Sequence, residues 1–171
     1  MSEPVHPSAQ WDTYRSTVQP EWIDYNGHMN VAYYVLVFDQ ATDSLFDRLG
    51  IGSAYRIRTG HTIFAAETHV TYKAEVKLGD PLKIESLLLG ADAKRVHLFH
   101  RMFHEGADVL AATCESLGLH VDGAARRVVP FTDDVALALR TAVAAHAGTP
   151  RPAEVGRSIS APVGSPRFTV L

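Results

Sequence analysis

The sequence from Trp22 to Gly50, WIDYNGHMNVAYYVLVFDQATDSLFDRLG, changes character halfway along. Its first part, Asp24-Tyr25-Asn26-Gly27-His28-Met29-Asn30, packs turn formers and hydrogen-bonding side chains together. Its second part places Val31, Tyr34, Val35, Phe38, Ala41, Thr42, Leu45, Phe46 and Leu49 at steps of three and four, the spacing of one helical face. Asn30 is a ready N-cap, because its side-chain oxygen can accept from an orphan backbone N–H, and Gly50 is a natural stop. A polar turn thus delivers the Asp24 carboxylate beside the positive end of an apolar helix. A helix this hydrophobic belongs inside a fold, so a sheet is expected to curl around it.

The chain has 171 residues, enough for one domain with a substantial core. Apolar residues make up 46% and charged residues 20%, as in ordinary globular proteins. A net charge of −3 gives no support to nucleic-acid binding, which draws on a clustered basic face. The single cysteine, Cys114, excludes an internal disulfide and fits a reducing compartment. No apolar run approaches the roughly 20 residues of a membrane-spanning helix, so no membrane partner is expected. Residues 1–10 lack the basic-then-apolar pattern of a secretory signal, and a cytoplasmic location is expected.

Outward from the turn and helix, residues 1–12, with Pro4 and Pro7, predict a flexible leader. Thr13–Val18 predicts a first strand, and Ile51–Gly60 a loop. Beyond it the period falls from 3.6 to 2. Ile63–Lys73, Leu82–Leu89, Arg95–His104 and Val109–Val121 predict four strands, punctuated at Gly79-Asp80, Gly90-Ala91-Asp92 and Glu105-Gly106-Ala107-Asp108. With turns this short they predict an antiparallel meander, and Arg127–Val129 a short extra strand. Asp133–His146 predicts a second helix. Residues 13–147 form the expected domain; residues 148–171 hold four of the nine prolines and predict an arm or tail. The class is α+β.

Asp24, Gly27, His28 and Asn30, spaced Asp-x-x-Gly-His-x-Asn before Val31-Ala32-Tyr33-Tyr34, resemble the 4-hydroxybenzoyl-CoA thioesterase-like family. The Gly79-Asp80 turn before an alternating strand is similar too. The resemblance implies the hotdog fold, a curved antiparallel β-sheet wrapped around a long central α-helix. More narrowly, WIDYNGHMNVAYYVLVFDQATD and DAKRVHLFHRMFH resemble betainyl-CoA thioesterases of carnitine breakdown, which occur alone or fused to carnitine dehydrogenases. It covers roughly residues 18–156.

What the resemblance implies about function is acyl-CoA hydrolysis, with no cofactor, since coenzyme A is part of the substrate. Thioester hydrolysis needs an activated water or a carboxylate nucleophile, and donors for the developing oxyanion. Asp24 occupies the family's catalytic carboxylate position, as general base or as nucleophile. The Val31 backbone N–H matches its oxyanion donor, with Asn26 and His28 beside it as further catalytic candidates. A second donor near His61–Ile63 would come from a partner subunit, implying a homodimer or homotetramer, and this makes Thr62 a substrate-binding candidate. The alternative is that Asp24 and Asn26 only close the turn, and that His28 and Asn30 only cap the helix or satisfy turn carbonyls. A betaine acyl group carries a fixed trimethylammonium, which favours aromatic faces. Trp22, Tyr25 and Tyr33 are therefore substrate-binding candidates along with Asn30, while Tyr34 on the apolar stripe can equally be core. Glu67 and His69 share one side of a strand and form either a patch toward the site or a wet face. Lys73, Lys77, Arg56, Arg58, Lys94 and Arg95 are candidates for the CoA phosphates.

No metal site is expected. His97, His100 and His104 cannot converge, because residues three apart on a strand point to opposite faces. Cys114 has no evident base and reads as packing. A hotdog hydratase would need Asp-x-x-x-x-His with a proline, whereas Asp24 and His28 are closer and Gly27 stands between them. A non-catalytic acyl-CoA binder is the remaining alternative.

Overall fold

The computed structural model describes residues 12–159. The expected leader, residues 1–12, lies outside them except for Asp12, as does the end of the expected C-terminal arm. Helix α1 spans Val31–Arg48 and begins as its sequence predicts. Asn30 Oδ1 accepts the Ala32 N–H at 3.0 Å, which satisfies one orphan donor of the first turn. Arg48 stands in the last turn, where a cation suits the helix dipole, and pairs with Asp12. Gly50, at a φ of 73°, supplies the left-handed residue that ends the helix.

The buried face of α1 is Tyr34, Val37, Phe38, Ala41, Leu45 and Phe46, which corrects the expected stripe at one end. Val31 and Val35 are 59% and 42% exposed, whereas Val37 is fully buried. The helix is apolar on two faces. One packs against the sheet; the other, Val31, Ala32, Val35 and Leu36, is left open and continues into Asp39 and Asp43. A single chain therefore wraps only part of its central helix.

The strands are β1 (Asp12–Thr17), β2 (His61–Tyr72), β3 (Pro81–Ala91), β4 (Arg95–His104), β5 (Val109–Asp122) and β6 (Arg127–Val128). They form one antiparallel sheet in the order β1-β3-β4-β5-β2, with β6 beside β5. This is the hotdog arrangement, and it corrects the simple meander. Only β3-β4-β5 meander; β2 lies on the far edge, paired with β5. The reason lies in the connection, residues 73–80, which is no tight turn. It passes under the N-terminus of α1, where the Met29 N–H donates to the Val76 carbonyl at 2.9 Å and Val76 is fully buried.

The segment expected as a loop contains a short helix, α2 (Ser53–Thr59). Asp47 Oδ1 accepts the Ser53 N–H at 3.1 Å, Tyr55 is buried, and Gly60 at a φ of 75° stops the helix. Two turns around one buried aromatic give too few repeats for a periodicity to show. Helix α3 (Asp133–His146) packs Val135 and Leu139 with Leu45, Phe46 and Leu88. Its His146 Nδ1 accepts the Leu88 N–H at 3.0 Å, two residues beyond the Asp12–Ser86 pairing of β1 with β3. Residues beyond α3 cross the back of the sheet, where Glu154 pairs with Lys73 at 2.9 Å and the Gly156 N–H donates to Glu115 at 2.6 Å. Among the described residues no helix is long and apolar enough to cross a membrane.

One polar tie joins helix to sheet. The Thr42 hydroxyl donates to the Phe38 carbonyl, so its oxygen is left to accept the His100 Nε2–H at 3.1 Å. Nδ1 of the same ring then accepts from the Ser86 hydroxyl at 2.8 Å. A ring holding one proton satisfies both neighbours, and burial pushes His100 down to about 4. The unfolded chain would titrate near 6.5. Protons therefore bind the unfolded state preferentially between those values, and stability falls as pH drops through that window, by on the order of 3 kcal/mol. Urea unfolding at pH 7 and pH 4.5 should show that loss in wild type, and His100→Gln, which keeps hydrogen-bonding atoms but does not titrate, should lose much less.

Candidate active site

The site is built on the turn between Trp22 and α1. A short 3-10 turn, Pro20–Trp22, leads into it, and Ile23 bridges Met29 across the loop. The Asp24 N–H donates to the His28 carbonyl at 3.1 Å and the Gly27 N–H to the Asp24 carbonyl at 3.0 Å. Gly27 holds a φ of 80°, a conformation glycine adopts without strain. Asp24 Oδ1 accepts the Asn26 N–H at 2.8 Å, so the carboxylate does close the turn. Its Oδ2 lies 3.4 Å from Asn30 Nδ2. Closing the turn does not exhaust the carboxylate, since one fixed through both oxygens retains free lone pairs.

Asn30 links the carboxylate to the helix. Its Nδ2 faces Asp24, its Oδ1 takes the Ala32 N–H, and its carbonyl takes the Tyr33 N–H at 3.0 Å. The Val31 N–H has no partner among the described residues. A free donor at a helix N-terminus beside a carboxylate is the arrangement that ester-type chemistry needs. Asn26 contributes its backbone, while its side chain is exposed. His28 stands on the rim, 3.9 Å from Glu75. Trp22 is only 7% exposed and stacks on Tyr33 at 5.7 Å, whereas Tyr25 is 96% exposed. Within one chain the expected aromatic box is thus a Trp22–Tyr33 stack with Tyr25 turned outward. Tyr34 is core, and its hydroxyl donates to the Ala74 carbonyl at 3.3 Å.

Thr62 and Glu67 lie elsewhere. Thr62 lines a cavity of about 330 Å³ between the second half of α1, the start of α2 and strands β2 and β5. Asp39, Asp43 and Phe46 line it as well, and so does Arg56. Burial, followed by the nearby Asp39 and Asp47 charges, holds the Asp43 carboxyl above its ordinary value. Glu67 and His69 face the opposite side of the sheet. With His97, Glu115 and Arg157 they line a second cavity of about 310 Å³, away from α1. The Glu67–His69 side is therefore the outer face. His97 pairs there with Glu115 at 2.7 Å, His100 is buried under α1, and His104 lies 3.4 Å from Asp80. Burial pushes the Cys114 thiol up to about 12, in keeping with packing. Of the phosphate candidates, Lys73, Lys77 and Arg95 pair with Glu154, Glu75 and Asp92, while Arg58 lies over the Tyr55 ring at 5.6 Å.

The two halves stand at opposite ends of β2. Tyr72 Oη lies 3.5 Å from the Val31 carbonyl, so that end of the strand adjoins the Asp24 turn. Thr62 is ten residues back along β2, roughly 33 Å of extended strand.

A model of the thioesterase-like superfamily matches residues 18–139. The chain belongs to that superfamily. A betainyl-CoA thioesterase of Pseudomonas aeruginosa is 39% identical over 150 residues, covering 88% of this chain and 94% of that protein. An L-carnitine dehydrogenase/betainyl-CoA thioesterase of Agrobacterium fabrum is 40% identical over 140 residues, of which the match spans 28% of its length and 82% of this chain. A Staphylococcus aureus protein solved in complex with CoA superposes with a TM-score of 0.83 at 28% identity, covering 90% of this chain and 96% of that one.

Several lining residues carried no sequence signal. Ser53 and Ser116 are ordinary polar residues until the fold brings them to the Thr62 cavity. Gly118 did carry one, a glycine inside a strand, which often marks close approach. A Cβ there would stand 2.5 Å from Ile63 Cγ2 and 2.9 Å from Val96 Cγ2. The double role of Asn30 gives a direct check. Asn30→Asp keeps the capping oxygen but sets a second carboxylate against Asp24, so the melting temperature should stay within a few degrees of wild type. Thiol release should nonetheless fall by about tenfold or more, because the donor to Asp24 becomes a repelling charge.

Proposed function

We propose that the protein is an acyl-CoA thioesterase acting on betainyl-CoA, releasing betaine and free CoA. The observation that carries this is the unpartnered Val31 N–H beside the doubly held Asp24 carboxylate. The thioester carbonyl sits against the Val31 N–H, which stabilises the negative charge that develops on its oxygen. Asp24 either takes a proton from the attacking water or attacks the carbonyl carbon itself, to be released by water in a second step. No metal or further cofactor enters this scheme, and coenzyme A enters as part of the substrate. A cytoplasmic setting belongs to the same reading.

The complete site needs a second copy. The outer edge of β2 is unpaired over its whole length among the described residues, with Phe64–Thr68 exposed, and the open face of α1 lies next to it in the fold. Two such edges pairing antiparallel about a two-fold axis near the middle of β2 would set Thr62 of the partner subunit beside Tyr72, and so beside the Asp24 turn. The same operation carries the Thr62 cavity, with Asp39 and Asp43, toward the acyl end of the substrate. Among the described residues, carboxylates that outnumber the one cationic side chain of that cavity, beside the Phe46 ring, suit a quaternary ammonium, whose charge no proton loss can remove. The 39% identity to the Pseudomonas aeruginosa enzyme supports the same substrate.

Thiol release from a panel of acyl-CoAs tests this. Wild type should favour betainyl-CoA over short neutral acyl-CoAs, and Asp24→Asn should lose on the order of 100-fold or more of that rate. A preference for aromatic or fatty acyl groups would retain Asp24 and discard the betaine pocket. Absence of thiol release from every thioester would favour a non-catalytic acyl-CoA binder. Sedimentation should return a dimer or a multiple of one; a monomer that turns over substrate would remove the shared site.

A further inference from the structure

The chain beyond α3 does not simply leave the fold. It forms two overlapping turns, in which the Val155 N–H donates to the Pro152 carbonyl at 3.1 Å and the Arg157 N–H to the Glu154 carbonyl at 3.3 Å. Gly156, at a φ of 76°, supplies the left-handed residue of the second turn without strain. Side chains of the sheet's outer face hold these turns in place. Glu154 pairs with Lys73, and the two side chains are only 19% and 31% exposed. Hydrogen bonding from the Lys73 ammonium holds the Glu154 carboxyl below its ordinary value. Glu115 accepts the Gly156 N–H through one oxygen and meets His97 Nε2 at 2.7 Å through the other. The arm is thereby fastened to β2, to β5 and, through Glu115, to β4.

Lys73 stands where β2 ends. The Lys73 and Ala74 N–H groups both donate to the Ala111 carbonyl, at 2.8 and 3.1 Å, and close the ladder with β5. From there the chain crosses beneath α1. The Ala74 carbonyl accepts the Tyr34 hydroxyl at 3.3 Å, and the Val76 carbonyl accepts the Met29 N–H. On the other side of Lys73, the Tyr72 ring lies edge-on to Tyr34 at 5.2 Å, with its hydroxyl 3.5 Å from the Val31 carbonyl. Both neighbours of Lys73 therefore touch the first turn of α1, whose cap Asn30 faces Asp24. Strand alternation turns Lys73 itself the opposite way, to the outer face, where the arm lies.

Two N–H groups sharing one acceptor make a weak strand end, and strand ends are where local opening begins. We infer that the C-terminal arm is part of the catalytic scaffold: Glu154 braces the end of β2 through Lys73 and so keeps the Val31 N–H and the Asp24 carboxylate in register. Glu154 and Lys73 are positioning residues, and neither touches the substrate. This rests on the thioesterase reading above. A displacement of about 1 Å in a catalytic group can cost on the order of 100-fold in rate, so slight loosening is enough. It also withdraws Lys73 from the candidates for the CoA phosphates, because Glu154 engages its ammonium on the outer face.

Thiol release and melting temperature, measured on the full chain, test this for wild type, Glu154→Ala, Lys73→Met, the reversed pair Lys73→Glu/Glu154→Lys, and Asp24→Asn. Glu154→Ala and Lys73→Met should each lower kcat by about fivefold with KM within about twofold, since the disturbed groups act on the transition state. Their melting temperatures should stay within a few degrees of wild type, as befits one part-exposed ion pair, so the loss is not unfolding. The reversed pair should bring kcat back to within about twofold of wild type. Either single variant carries the test should the other fail to fold. If both keep kcat within about twofold of wild type, or if the reversed pair is no faster than they are, the brace is rejected. A rise in KM for Lys73→Met with kcat unchanged in Glu154→Ala would make Lys73 a phosphate ligand and reject the brace as well. In each of those cases an inactive Asp24→Asn leaves the thioesterase reading standing. If Asp24→Asn turns over at the wild-type rate, the site reading fails and takes this inference with it.

Discussion

The seating of α1 in the concave sheet is the constraint on which the rest of the molecule depends. Val37, Phe38 and Ala41 are sealed against the strands, and the Thr42–His100–Ser86 chain fixes the helix to β4 and β3 by hydrogen bonds as well as by contact. A polar chain buried this deeply tolerates little sliding, since any shift would strand a donor or acceptor away from water. That rigidity is handed to the helix N-terminus. Asn30 is held by the first turn it caps, and Asp24 is held by Asn30. The carboxylate is thus held from two sides, by its own loop through the Asn26 N–H and by the core through Asn30.

The division of the site between two ends of one strand follows from the same architecture. Among the described residues, a helix enclosed on one side only has an apolar face to cover, and a sheet that ends in a bare β2 has backbone groups to pair. The symmetric association proposed above would answer both needs. It would also set the Asp24 turn of one subunit against the Thr62 end of β2 in the other, and catalytic competence would then depend on assembly.

Much of this was legible in the sequence, for identifiable reasons. The Asp24–Asn30 turn, the cap at Asn30 and the stop at Gly50 are local chemistry, decided within a few residues, and each appears in the structure as its residue types dictate. The strands after Gly60 were legible because alternation marks a half-buried surface. What escaped was non-local. Nothing in Lys73–Asp80 says that it crosses the sheet instead of turning back, because that depends on where Val76 finds a core to enter. Glu67 and His69 were correctly placed on one side of β2, but the period alone cannot tell the side facing α1 from the outer side. Val31 and Val35 read as core because an apolar face awaiting a partner has the same composition as one already buried. Helix α2 was lost because two turns around Tyr55 leave no period to detect.

The position of β1 has a consequence for how this fold can be attached to others. β1 is the outermost strand on one side of the sheet and β2 on the other, separated by β3, β4 and β5. Neighbouring strands lie about 4.8 Å apart, so β1 begins roughly 20 Å from the β2 edge that the proposed dimer would pair. An additional domain joined ahead of β1 would therefore hang from the opposite flank of the sheet, without obstructing such a seam. The same module can then serve as a free-standing protein or as one segment of a longer polypeptide, such as the Agrobacterium fabrum protein of which this fold matches 28%. In such a fusion the paired β2 strands would act as the hinge pin of a larger dimer, with the appended domains carried on its outer wings.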